Sequence, residues 1–245
     1  MKTMAFASRN NKEILRDKLN LAFGIGFPVM LLLLLTAIQA NIPADLFLID
    51  QLTPGIAVFG LSFISLFSGV LIAKDRSSSF MLRLFASPLT SRDFIFGYTI
   101  PLLPISVLQI TVCFLVAFFL GLTISINVLI AIIVLIPVAV LFIAIGLLCG
   151  TLLTDKQVSG VCGALLINLS AWLSGIWFDL DLVGGTFKVV ANLLPFVHAV
   201  NAGRAAIAGN YSSIFPELWW VVGYAVIIMT IAIFVFTRKM NSDNV

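Results

Sequence analysis

The sequence predicts an all-α, polytopic membrane protein with six transmembrane helices and with both termini in the cytoplasm. Of its 245 residues, 61% are hydrophobic and 10% are charged, whereas soluble domains are about 45–50% apolar and about 25% charged. Charge-free stretches recur at the length of roughly 20 residues that a helix needs to cross a bilayer. Most of the 14 Lys and Arg residues fall in alternating loops, as the positive-inside rule requires. This composition excludes an ordinary soluble domain, a disordered chain and a nucleic-acid-binding protein.

The charge-free stretches define the elements of one transmembrane domain over 1–245. The predicted spans are 21–40, 54–73, 94–120, 128–153, 157–178 and 218–237. Residues 94–154 lack charge over a stretch too long for one span, and the polar break at 121–127 divides them into two helices. The segments between the spans include 1–20, the inner loop 74–93 and the outer segment 179–217.

The pattern weighs against two other interpretations of the apolar segments. Residues 1–40 are a poor secretory signal peptide, because their apolar stretch exceeds the usual 7–15 residues and cleavage would break the charge alternation. Glycines, prolines and charged residues interrupt 183–215, and a seventh span there would move Arg238 and Lys239 to the outside. We therefore expect short re-entrant helices in the outer leaflet over 179–217.

The sequence of the inner loop predicts a short helix over 77–86 with one apolar face. That face consists of Phe80, Met81, Leu84 and Phe85. Pro88 ends the helix, because the residue before a proline avoids the helical region. Thr90 then caps the next helix, with Asp93 three residues on as in a capping box. Such a helix either docks in a groove on a soluble partner or lies on the lipid, and the residues leave both open.

The sequence lacks the motifs of an enzyme or of a proton-driven carrier. It has no G-x-x-x-x-G-K-[ST] phosphate loop and no H-E-x-x-H zinc helix, and we predict no catalytic or metal site. Cys113, Cys149 and Cys162 lie in apolar runs and are read as small hydrophobes. The predicted spans hold no charged residue, whereas proton-coupled carriers place ionisable residues at membrane depth. We therefore expect the energy for transport to come from another protein.

Three segments resemble the ABC transporter type-2 permease family. They are LRLFASPLTSRDFIFGY at 82–98, LSGIWF at 173–178 and LLPFVHAVNAGRAAI at 193–207. Together with the six-span layout and the chain length, their order and spacing extend the resemblance over almost the whole chain. The sequence departs from the family at 77–79, where an acidic residue and a glycine are frequent, and at His198, where an aromatic residue is more usual.

The resemblance implies a transport subunit that is not itself an enzyme. It implies a homodimer or heterodimer of permeases in the cell membrane, expected to be a bacterial cytoplasmic membrane, docked on separate P-loop ABC ATPase subunits that bind ATP and Mg. No cofactor is expected on this chain, and lipid is its other partner. The coupling helix in the ATPase groove would use Ser79, Phe80, Met81, Arg83, Leu84, Phe85 and Pro88. The resemblance also implies a second ATPase contact at 154–157 and an amphipathic helix at 5–19, where Met4, Ala7, Ile14 and Leu15 face one way.

The resemblance places the substrate route between the protomers, along the first, second and fifth spans. The candidates on the second and fifth spans are Phe59, Ser62, Phe63, Phe67, Asn168, Ser170, Trp172 and Ser174. The candidates for an outer gate are Phe178, Asp179, Pro195, His198 and Arg204, with Arg204 pairing with a nearby acid such as Glu217. The alternative for the route residues is ordinary packing between spans, and for the gate residues a solvated interface.

The resemblance implies that the substrate is a lipophilic drug, an antibiotic or a peptide, because chains this short in the family often export such molecules. The spans offer no charge for a strongly ionic cargo. A lipid-linked glycan or a lipid is the alternative within the same class of exporter. Channels and intramembrane enzymes form a different class. A channel would need a filter-like segment, and an enzyme would need a polar catalytic group at one depth.

Overall fold

The computed structural model describes residues 2–43, 45–78 and 90–242, and all regular secondary structure in these residues is helical. The helices are α1 Lys2–Arg16, α2 Lys18–Gln39, α3 Ile49–Ser77, α4 Ser91–Phe119, α5 Ile126–Leu152, α6 Asp155–Val158, a π-helix Ser159–Leu166, α7 Ile167–Trp172, α8 Leu180–Val183, α9 Gly185–Leu193, α10 Pro195–Ile207 and α11 Tyr211–Ser242. The predicted all-α class is thereby confirmed.

Five of these helices, α2, α3, α4, α5 and α11, are long and apolar enough to cross a membrane. The predicted span 157–178 is instead composite, because α6, the π-helix and α7 follow one another without a break and end at Trp172. Beyond them the chain turns at Gly175, which has a φ of +69°. Six spans and a cytoplasmic location of the termini therefore remain predictions.

Helix α3 lies at the centre of the bundle, with 83% of its most apolar window buried, compared with 22% for α2 and 17% for α11. Glycines bring α5 close to it. A Cβ atom on Gly150 would lie 2.3 Å from the carbonyl oxygen of Gly69, so only glycine fits at this crossing. Ser68 adds a bond across the contact, with its hydroxyl donating to the Ile143 carbonyl at 3.2 Å.

The division of 94–154 into two helices is confirmed. Helix α4 ends at Phe119, and α5 begins at Ile126. Gly121 in the connection has a φ of +109°, a conformation that favours glycine. At the other end of α4, Thr90 and Asp93 form the predicted capping box, in which the side chain of each residue accepts a hydrogen bond from the backbone N–H of the other.

Helix α1 packs on α4 through a different face from the one expected. Met4 and Leu15 are 64% and 54% exposed, while Phe6 is buried. The reason is the surface of α4: the Phe6 ring packs where Gly97 has no side chain, and it contacts the Tyr98 ring edge to face at 5.0 Å. The predicted grouping of Met4 with Ala7 and Ile14 was therefore wrong for Met4 and Leu15.

A single residue, Asp17, separates α1 from α2. Its side chain accepts a hydrogen bond from the backbone N–H of Asn20 at 3.2 Å and so caps the N-terminus of α2. The first candidate span thus starts directly from the end of α1.

Both ends of the described chain lie at one end of the bundle, here named the inner end. Thr3 donates to Asp93 at 2.6 Å. Arg76 donates to the Gly150 carbonyl at 2.7 Å, and Lys239 donates to the Thr151 carbonyl at 3.1 Å. Cations near the C-terminal carbonyls of a helix are stabilising, so these contacts tie α3 and α11 to the end of α5. The opposite end is named the outer end.

Candidate functional site

A cavity of about 350 Å³ opens between α2, α3 and the composite segment formed by α6, the π-helix and α7. Phe59 and Phe63 of α3 line it on one side, and Asn168 and Trp172 of α7 on the other. The structure therefore brings four of the predicted route residues together. Phe27 of α2 and Trp177 also line the cavity, although neither is among the sequence-based candidates.

The aromatic rings form a continuous wall of this cavity. The ring of Phe27 lies 5.7 Å from Phe63, the rings of Phe59 and Phe63 lie 5.6 Å apart, and Phe59 lies 5.9 Å from Trp177. All three contacts are edge to face, the arrangement that the aromatic quadrupole favours. Such a wall offers both ring faces and ring edges to a bound apolar molecule.

Asn168 supplies the amide among the residues that line the cavity. Its Nδ2 donates to the Ala164 carbonyl one turn earlier, at 2.7 Å. The side chain is exposed, and its Oδ1 has no hydrogen-bond donor among the described residues. One acceptor is therefore available beside an apolar surface, the combination common in small-molecule sites.

The predicted route serines do not line this cavity. Ser62, Ser170 and Ser174 are buried and donate to carbonyls of their own helical segment three residues earlier. Their hydroxyls are satisfied within the segment. Phe67 lies further towards the inner end, where its ring fills the space beside Gly24.

The predicted gate residues belong to two groups at the outer end. Phe178 lies next to the aromatic cavity, with its ring 6.2 Å from Trp172. Asp179 accepts from the backbone N–H of Asp181 at 2.9 Å and so caps α8. Pro195 is buried in the first turn of α10, and Arg204 lies about two and a half turns further on.

Arg204 bonds to backbone carbonyls rather than to an acid. Its Nε donates to the Gln51 carbonyl at 3.1 Å, and its Nη2 donates to the Gly175 carbonyl at 2.9 Å. Burial lowers the pKa of Arg204, and the more distant charge of Asp179 opposes that shift. Arg204 thus ties α10 to the start of α3 and to the turn that follows α7.

His198 lies in a separate cluster that joins α9, α10 and α11. Its Nδ1 lies 2.5 Å from the Glu217 carboxylate, and its Nε2 lies 2.9 Å from the Asn192 carbonyl. The ring stacks on Trp220 at 4.9 Å with an interplanar angle of 3°. Burial alone lowers the pKa of His198, but the bonds to Glu217 and Asn192 outweigh it, so the pKa lies above its ordinary value of 6.5.

Sequence reasoning missed a charged cluster at the inner end. Arg9 of α1 donates to both carboxylate oxygens of Asp75 at 2.7 and 2.9 Å, and the Tyr98 hydroxyl donates to the same carboxylate at 2.8 Å. Arg9 also pairs with Glu13 on the next turn of α1, at 2.8 Å. Asn10 completes the cluster by donating to the Gly97 carbonyl at 3.0 Å. The position of Asp75, just beyond a charge-free span, was the only signal in the sequence.

Two residues of this charged cluster flank the predicted coupling helix in the sequence. Asp75 precedes that helix and Tyr98 follows it. The coupling candidates Ser79, Phe80, Met81, Arg83, Leu84, Phe85 and Pro88 lie outside the described residues. The other predicted ATPase contact, at 154–157, begins with a capping box between Thr154 and Gln157. Within 2–43, 45–78 and 90–242, no group of three or more His, Cys, Asp and Glu side chains is placed to hold a metal ion.

Comparison with known proteins identifies the family. The family model of the ABC-2 type transporter matches residues 1–208. The chain is 28% identical over 203 residues to ABC transporter G family member 20 of Dictyostelium discoideum. The aligned region covers 78% of this chain and 27% of that relative, so it spans about a quarter of the relative's length.

Proposed function

The chain belongs to the ABC-2 type transporter family as a membrane transport subunit, and we propose that it is the permease of an exporter driven by separate ABC ATPase subunits. The observation that carries this proposal is the aromatic cavity between α2, α3 and α7. A cavity of about 350 Å³ lies within the range of about 300–1,000 Å³ typical of small-molecule sites.

The proposed substrate is a lipophilic molecule with an aromatic or otherwise flat apolar part and one hydrogen-bond donor. Phe27, Phe59 and Phe63 would contact its apolar part, and Oδ1 of Asn168 would accept from its donor. The lining residues carry no charged side chain, so the cavity offers nothing to compensate the desolvation of an ionic substrate. Drugs, antibiotics and apolar peptides fit this description.

Two permease copies would form the complete route, with the aromatic cavity of each copy facing their shared interface. The exposed side of α2 supports this arrangement, because Phe23 and Met30 are 55% and 52% exposed and lie next to Phe27. Phe178, Arg204 and His198 would close the route at the outer end.

Coupling would occur at the inner end. We assign the segment from Ser79 to Pro88 to the ATPase groove and residues 154–157 to a second contact. The ion pair of Arg9 with Asp75 supports this assignment, because it fixes the end of α3 from which the coupling segment departs. Closure of the ATPases on nucleotide would push this end and open the route outwards.

The substrate site is tested by reconstituting the chain with its ATPase and measuring hydrolysis stimulated by lipophilic compounds. Trp172→Ala should lower the stimulation by roughly tenfold, which corresponds to the loss of about 1.4 kcal/mol of ligand contact. Trp172 is 56% exposed, so the protein should remain folded. Leu169→Ala is the matched control, because Leu169 is an exposed apolar residue on α7 that does not line the cavity. Equal activity of the two variants would contradict the site.

The coupling assignment has its own test. Phe80→Asp or Leu84→Asp should abolish stimulation of the ATPase without affecting membrane insertion, because a charge would be placed in an apolar groove. Leu46→Asp, at an exposed position outside the spans, controls for added charge. Normal stimulation in the Phe80 and Leu84 variants would refute the docking of this segment.

A further inference from the structure

A second cavity, of about 360 Å³, lies at the inner end, apart from the aromatic cavity. It is enclosed by α1, the start of α2 and the end of α3. Its apolar side includes Ile14 of α1, Leu21 of α2 and Phe67 and Leu71 of α3. Charged side chains from α1, from α3 and from Asp17 between α1 and α2 surround this apolar side.

The acids of this cavity already have partners. Glu13 is paired with Arg9 at 2.8 Å. Asp75 accepts from Arg9 and Tyr98. Asp17 accepts from both the backbone N–H and the side-chain Nδ2 of Asn20, at 3.2 and 2.6 Å.

The two cations that line the cavity have no such partner. Arg16, the last residue of α1, and Lys74, near the end of α3, are both exposed. Neither forms a salt bridge with any residue in the part of the chain that the structure describes. Arg16 and Lys74 are therefore both available to bind an anion, and both lie beside an apolar surface.

The surroundings fit a membrane interface. Helix α1 has one face buried against α4 and carries Arg9, Lys12 and Arg16. Basic residues on an amphipathic helix next to a span bind anionic lipids, because the cytoplasmic leaflet has a negative surface potential. The apolar side formed by Leu21, Phe67 and Leu71 continues onto the spans, where an acyl chain would lie.

We propose that the inner cavity binds an anionic phospholipid. Arg16 and Lys74 bind its phosphate, and Phe67 and Leu71 contact the upper part of an acyl chain. This inference rests on the proposed function only in placing the inner end in the cytoplasmic leaflet. A bound lipid would bridge Arg16 of α1 and Lys74 of α3, and so would support the end of α3 from which the coupling segment departs.

The test uses the purified full chain without any ATPase. Retention of phosphatidylglycerol, with phosphatidylcholine as the comparison lipid, is measured by native mass spectrometry after exchange into detergent. Arg16→Gln and Lys74→Gln should each weaken phosphatidylglycerol binding by about fivefold, the effect of removing one charge near an anionic lipid. Phosphatidylcholine retention should be low and unchanged in both variants.

Lys12→Gln and Lys18→Gln are the matched controls. They remove the same charge from the same segment, but neither lysine lines the cavity. Less than a twofold change is expected for either. An equal loss in all four variants would overturn the proposal, because binding would then be a diffuse attraction to the basic segment.

Soluble phosphate is tested as the competing occupant. Inorganic phosphate and glycerol 3-phosphate at millimolar concentration should fail to displace phosphatidylglycerol, because they lack the acyl chain that the apolar side contacts. Displacement by either would overturn the lipid assignment in favour of a soluble phosphate site. No substrate or ATPase is present in these measurements, so failure here is distinguishable from failure of the exporter proposal.

Discussion

The inner and outer ends of this protein are held together by two different kinds of polar contact. At the inner end Arg9 and Asp75 join α1 to α3 through two hydrogen bonds between a guanidinium and a carboxylate. At the outer end His198 and Glu217 join α10 to α11, and histidine is the side chain that titrates near neutral pH. Because the outer contact includes a histidine, we expect its strength to depend on pH near neutrality, whereas the strength of the inner contact depends on the geometry of an ion pair.

The largest effect is expected from breaking the inner contact. Asp75→Asn removes the buried carboxylate that pairs with Arg9 and leaves its partly buried guanidinium with only the more exposed Glu13 as a counter-charge. Breaking a buried pair costs about 3–5 kcal/mol, and we expect the lower end of this range because the Arg9 side chain is 33% exposed. Thermal or denaturant unfolding of the purified chain measures the change.

Asp45→Asn is the control for this variant. Asp45 is an exposed residue between α2 and α3, and its substitution should change the free energy of unfolding by less than about 0.5 kcal/mol. Equal stabilities of the two variants would show that the ion pair does not hold the inner end.

A smaller effect is expected from overpacking the contact between α3 and α5 near the inner end. Gly150→Ala places a Cβ atom 2.3 Å from the Gly69 carbonyl oxygen, and overpacking of this kind costs about 1–3 kcal/mol. Gly223→Ala meets nothing within 4 Å and should be neutral or slightly stabilising, because alanine favours a helix. The two unfolding free energies, measured side by side, separate packing at the inner end from the general effect of alanine.

The smallest effect is expected from titrating the outer contact. The pKa of His198 is raised in the folded protein, so its contribution is fully present below the unfolded value of 6.5 and is lost as pH rises through the folded pKa. The free energy of unfolding should therefore fall as pH rises above 6.5. His198→Gln should remove this dependence. If the pH dependence of the free energy of unfolding persisted unchanged in this variant, groups other than His198 would be its cause.

The elements that follow from local sequence were predicted well. The division of 94–154 into α4 and α5 depends on a polar break with Gly121 in it, and the capping box of Thr90 and Asp93 depends on a spacing of three residues. Both signals lie within a few residues of the feature that they specify. Turn and cap chemistry is local, so one sequence is sufficient to find it.

Contacts between distant segments were not predictable in the same way. Arg9 and Asp75 are 66 residues apart, and nothing in either neighbourhood specifies the other. Part of the lining of the aromatic cavity was anticipated, because the resemblance placed route residues on the second and fifth spans, among them Phe59, Phe63, Asn168 and Trp172. Phe27 and Trp177 were missed, since only the packing of α2 and of the turn after α7 brings them to the same cavity.

The composite segment shows a further limit of hydropathy. Residues 157–178 are apolar enough for a span, but 159–166 wind as a π-helix, a form usually seen as a single turn and frequently at functional sites. Gly160 and Gly163 lie in this stretch. Average hydrophobicity records the polarity of a segment and not its hydrogen-bond register, so the irregular winding had no counterpart in the prediction.

The single residue between α1 and α2 couples the orientations of these two helices. A connection of one residue can change the angle between two helices only through its own φ and ψ. The hydrogen bond by which Asp17 caps α2 restricts these two dihedrals further. We therefore expect a tilt of α1, which carries Arg9, to change the orientation of α2, which carries Phe27. The chain thus has a direct mechanical path from its charged inner end to the wall of the aromatic cavity.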